Sequence, residues 1–136
     1  MQIPIWFPRL TELLHGAASN EARPAIERRS AELARRWHVL DENDWRKLEY
    51  QCKAIIVREA RSHCPSDATD CLAAIDRVLE LLDAETPAED PAWEIAAARW
   101  AVSGAMAGRA AARSAAAGRM ISAIFDAIEK AISARQ

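Results

Sequence analysis

Apolar residues recur at helical spacings along most of the chain, and strand-like alternation is absent. Leu10, Leu13 and Leu14 give a first short helix one apolar face. Pro8 suits its first position and Gly16 is the expected stop. Residues 1–7 read as an extended lead-in, which Ile3, Ile5, Trp6 and Phe7 can tack onto a core. Ile26, Ser30, Leu33 and Trp37 stand four, three and four residues apart and line a second helix. Ser19 or Asn20 caps it, with Pro24 in its first turn. Asp41-Glu-Asn-Asp44 puts acids at the positive end of a third helix, over about 42–62. Trp45, Leu48, Cys52, Ile55 and Ile56 form its stripe. Pro65 ends that run, and Ser66 or Asp67 starts a fourth helix that reaches about residue 84. Its stripe is Cys71, Leu72, Ile75, Val78, Leu79 and Leu82.

The stretch from Trp93 to Arg135 organises the rest. It is Ala-rich to Gly118 and then amphipathic through Ile121, Ile124, Phe125, Ile128 and Ile132. Thr86-Pro-Ala-Glu89 forms a capping box with Pro at the first helical position, and Asp90-Pro91 offers a second start. This is one long helix, or two in line with a kink near Gly118. Gly104, Gly108 and Gly118 each cost about 1 kcal/mol against Ala inside a helix, so close approach of another backbone is expected at them. Gly104, Gly108 and Ala112 lie four apart on one face, which suits an intramolecular contact or a homodimer seam. The expected fold is all-α: a bundle of about five helices in a single domain, 1–136.

Composition narrows the picture. Of the 136 residues 51% are apolar, but many are Ala, so the five Trp must supply much of the core volume. The formal net charge of −2 gives no global attraction to nucleic acid or membrane. The distribution is uneven. Residues 65–92 hold Asp67, Asp70, Asp76, Glu80, Asp83, Glu85, Glu89 and Asp90 against Arg77 alone. Residues 95–125 hold Arg99, Arg109, Arg113 and Arg119 and no acid. An acidic arm and a basic arm of this kind can partly neutralise each other. The first residues lack the basic start and apolar run of a signal peptide, and no uncharged run is long enough to span a bilayer. With three Cys in no disulfide-scaffold spacing, a reduced cytoplasmic protein is expected.

Candidate chemistry is sparse. His63, Cys64, Cys71 and Cys52 are the one group with zinc-ligand chemistry, but no Cys-x-x-Cys pair is present. Cys52 and Cys71 fall on apolar faces, where a thiol packs as a small hydrophobe. Cys64 beside His63 is adjacent in sequence, which is not the spatial relation a nucleophile needs. His15 and His38 lie near helix ends, where the dipole favours them. The Gly residues do not follow a strand, so no phosphate-cradling loop is present. No catalytic residue, metal or cofactor is assigned.

Two charged surfaces remain. Asp76, Glu80 and Asp83 stand four and three apart on the face opposite the Leu stripe, continued by Glu85, Glu89 and Asp90. Carboxylates so arranged can steer to and occlude a basic site on a partner. The alternative is nucleic-acid binding through Arg99, Arg109, Arg113 and Arg119, although no aromatic residues interleave after Trp100. Cys71-Leu-Ala-Ala-Ile-Asp-Arg-Val-Leu-Glu-Leu-Leu-Asp83, the Thr86–Trp93 start and the Ala/Arg/Trp helix after it together carry a resemblance. Over about 70–135 the chain resembles the Ala-rich helical immunity proteins of bacterial polymorphic toxin systems. It departs from them in having only Trp93 and Trp100 in the Ala-rich part and no regular Ala-Ala-Trp repetition. The resemblance implies a non-catalytic protein that neutralises a protein target, a toxin or a nucleic-acid-handling defence complex. A phage anti-defence protein such as an anti-CRISPR has the same sequence character.

Overall fold

The computed structural model describes residues 3–63, 66–67, 69–84 and 110–135, with the side chains of Cys71, Ala74 and 110–112 excepted. The all-α expectation holds. The described residues form α1 (Trp6–Ala17), α2 (Arg23–Ala34), a 3-10 turn (Trp37–Val39), α3 (Glu42–Ser62), α4 (Thr69–Asp83) and α5 (Ala110–Arg135). The Thr86 start, Trp93, Trp100 and the Gly104/Gly108 face lie outside them.

The core is built around α5, whose 26 residues span about 39 Å at 1.5 Å per residue. Ala116, Ala117, Met120, Ile121, Ile124, Phe125, Ile128 and Ile132 are buried, the inner stripe that the Ile/Phe spacing predicts. Against it pack α1, α2, α3 and the 3-10 turn. The helix runs through Gly118 without a break. The close-approach expectation fails at this position: a Cβ on Gly118 would meet nothing within 4 Å.

The lead-in is shorter than expected, because α1 starts at Trp6 rather than Pro8. Pro8 is tolerated as the third helical residue, since the first N–H groups of a helix have no partner four residues back. The earlier start buries Phe7 and stacks Trp6, Phe7, Trp37 and Trp45 into one cluster, with ring centroids 5.3–6.5 Å apart. Such edge-to-face contacts add to burial. Ile3 and Ile5 do not join the core; they are 39% and 70% exposed.

Helix α3 begins as read. Asp41 and Asp44 form a reciprocal capping box, each side chain accepting the other's backbone N–H. Arg135, in the last turn of α5, donates to both carboxylates, at 2.7 and 2.8 Å. At the middle of the bundle Arg29 of α2 donates to Asp126 and Glu129 of α5 and lies over the Phe125 ring. Ion pairs thus fix where α5 sits along its neighbours, while apolar burial holds it there.

Two faces of α3 are buried. One carries Trp45, Leu48, Cys52, Ile56 and Ala60 into the main core. The other carries Tyr50, Ala54 and Val57 against Ile75 and Leu82 of α4, in a separate and smaller core that Val78 and Leu79 flank. Helix α4 is therefore an outer layer, packed principally on α3.

Candidate functional site

Packing of Ile75 and Leu82 on α3 turns the opposite side of α4 to solvent. Asp76, Glu80 and Asp83 are all exposed on that side, as their spacing predicts. Their environments differ. Both Asp76 carboxylate oxygens accept from Arg61 of α3, at 2.6 and 3.3 Å. The hydrogen bond from Arg61 holds the Asp76 carboxyl below its usual range. Asp83 accepts from Arg58 of α3 at 3.3 Å. Glu80 makes no ion pair among the described residues. Beside it Leu81 is 47% exposed, and together with Ala73, Asp76 and Arg77 the two line a shallow surface depression. Glu85, Glu89 and Asp90 lie outside the described residues.

The arginine surface is less complete. Arg99 and Arg109 lie outside the described residues, and Arg113 is exposed on α5. Arg119 donates to Glu59 of α3 at 2.5 Å. Burial pushes the Glu59 carboxyl up, but hydrogen bonds from Arg119 and His63 outweigh it and hold the group below its usual range. Arg113 and Arg119 are six residues apart in a helix and therefore point in different directions.

Among the described residues the two charged arms do not neutralise each other directly. Helix α3 lies between them and serves both, with Arg58 and Arg61 toward α4 and Glu59 toward α5. The remaining candidates are accounted for locally. Cys52 is buried in the main core, and desolvation pushes its thiol far above the usual range, so it packs as an apolar side chain. His15 bonds Glu27 at 3.1 Å and His63 bonds Glu59 at 3.0 Å. The His38 ring meets the Arg35 carbonyl at 3.1 Å. Cys64 and the Cys71 side chain lie outside the described residues, among which no three His, Cys, Asp or Glu side chains converge.

One feature was not anticipated from sequence. A groove of about 680 Å³ runs between α3 and the last turns of α5, closed at one end by Leu82 and Asp83 of α4. Lys47 and Arg58 enter it from α3, and Lys130 and Arg135 from α5, over a floor that includes Ala54 and Ala131. The signal in the sequence is the eleven-residue spacing of Lys47 and Arg58, three helical turns, which places both on one side of α3.

Compared with protein-family models, with curated proteins and with solved structures, the chain finds no match.

Proposed function

We propose that this domain is a cytoplasmic, non-catalytic inhibitor that binds another protein through the outer face of α4. It blocks that partner by steric bulk and negative charge, in the manner of an immunity protein or a phage anti-defence protein. The observation that carries this reading is the pairing of Glu80, exposed and without an ion pair among the described residues, with exposed Leu81 on a helix already anchored by its inner face. A charge beside an exposed apolar side chain, on a helix whose opposite face is packed, is a surface suited to protein contact. Arg61 and Arg58 contribute by holding Asp76 and Asp83 in place.

The test is a tagged capture from the native host, with and without nuclease, read by mass spectrometry. Reversing Asp76 or Asp83 also breaks a pair to α3, so Glu80→Lys with Leu81→Asp is the cleaner probe. The expected result is one stoichiometric protein that survives nuclease. Its affinity should fall roughly thirtyfold in the double variant, the effect of losing a contact hot spot. Full retention by that variant, with circular dichroism unchanged, overturns the assignment of the face. Capture that disappears with nuclease moves the function to nucleic acid.

A further inference from the structure

The acidic face of α4 and the basic groove adjoin, and Asp83 belongs to both. The described part of α4 and its approach, 66–84, carries Asp67, Asp70, Asp76, Glu80 and Asp83 against one cation, Arg77. The groove brings Lys47, Arg58, Lys130 and Arg135 against Asp44 and Asp83. Inside it Arg58 is taken by Asp83, and Arg135 by Asp41 and Asp44. Lys47 and Lys130 are exposed and make no ion pair among the described residues. One molecule therefore presents, side by side, a ridge whose charges without an ion pair among the described residues are Asp67, Asp70 and Glu80 against Arg77, and a groove with two uncompensated ammonium groups. A two-fold interface needs a patch that is complementary to itself, and a ridge adjoining a groove of opposite charge meets that condition.

We propose that a second copy of this chain docks here, the α4 ridge of each protomer lying in the α3–α5 groove of the other, about a two-fold axis near the Arg58–Asp83 pair. Glu80 of each copy then meets Lys130 of its partner, and Leu81 lies along the alanine floor. Charge complementarity selects the occupant, since a polyanion would also have to pass Asp44 and Asp83, whereas the ridge offers its carboxylates singly. The inference goes beyond the target-binding reading and limits it. The ridge cannot face a partner protein while it is seated in a groove, so self-association withholds the inhibitory face.

Sedimentation of the full chain from micromolar to sub-millimolar concentration tests this. The expected result is a monomer–dimer equilibrium that weakens in high salt. Glu80→Lys and Lys130→Glu should each raise the dimer Kd roughly tenfold, as close interfacial charge pairs do. The double variant E80K/K130E should recover most of the affinity, because the exchanged signs meet again across the two-fold. Target capture should survive Lys130→Glu alone, which separates this inference from the function proposed above. A monomer at every concentration overturns the inference, as does a dimer indifferent to both reversals. A dimer abolished by Gly108→Leu but not by the reversals also overturns it, and assigns the seam to the small-residue face.

Discussion

Truncating the same residue type in the two cores should give two different kinds of damage. Ile128 is fully buried at the centre of the main core, between Ile124 and Ile132 on the helix that every other part of that core touches. Ile128→Ala removes buried carbon atoms from the core that α1, α2, α3 and α5 share, so the surroundings can close the gap only partly. The cost is about 2–5 kcal/mol, a large share of the 5–15 kcal/mol that holds a domain of this kind. Ile75 is 7% exposed in a cluster that, among the described residues, comprises five buried side chains of α3 and α4. Its truncation leaves a smaller void, which α4 can relax into, so the cost is at the low end, about 2 kcal/mol. That cost falls on the local seating of α4 rather than on the bundle. Urea unfolding followed by circular dichroism reads the global term, and hydrogen exchange resolved by segment reads the local one. Ile128→Ala should lower the global free energy by about 2–5 kcal/mol and protection everywhere in the core with it. Ile75→Ala should lower α4 protection roughly thirtyfold while the global free energy falls by less than about 1 kcal/mol. Equal global losses in the two variants would refute the description of α4 as a separable outer layer.

Gly118→Ala should raise stability by about 0.5–1 kcal/mol, since helix propensity improves and the new methyl group has open space around it. The thermal midpoint should rise by about 2–6 °C, and a fall would mean that Gly118 is held against another backbone after all. Glu59→Gln should cost about 1 kcal/mol at neutral pH, because Glu59 is only 13% exposed but its partner Arg119 is 56% exposed and partly screened. The folded Glu59 carboxyl is held low, so its contribution is present above the unfolded pKa of about 4.3 and is lost as pH falls through the folded value. The gap between wild type and variant should therefore close below about pH 4, and a gap of constant size across an acid titration would refute the role given to this pair.

The helices were legible because their signals are local. Asp41 to Asp44 announced the start of α3 to the residue, and the Ile/Phe spacing announced the inner face of α5. The start of α1 was not legible, because Pro8 satisfies the preference for the first helical position as well as it satisfies the third. What moved the boundary was a tertiary gain: Phe7 is buried among Trp6, Trp37 and Trp45, which come from three segments of chain. The reading of Gly118 failed for a related reason. A glycine in a helix shows that a Cβ is missing, but only the fold shows whether anything occupies the vacated space.

Charge was the property that sequence order served least well. The acidic run before Ala92 and the basic run after Trp93 read as mutual partners, yet among the described residues both are met by α3, through Arg58 and Arg61 on one side and Glu59 on the other. A helix between two others can pair with each from residues one to three apart, because successive side chains point about 100° apart around its axis. Runs of like charge therefore identify a surface without identifying what neutralises it. The charges available to a partner are those left over after this internal pairing, and among the described residues of α4 they are Asp70, Arg77 and Glu80 rather than Asp76 or Asp83. The same subtraction applied to the α3–α5 groove leaves Lys47 and Lys130. Reversal of Asp76 should consequently be felt first in the seating of α4 against Arg61, and reversal of Glu80 first in association, although the two lie one turn apart on the same face.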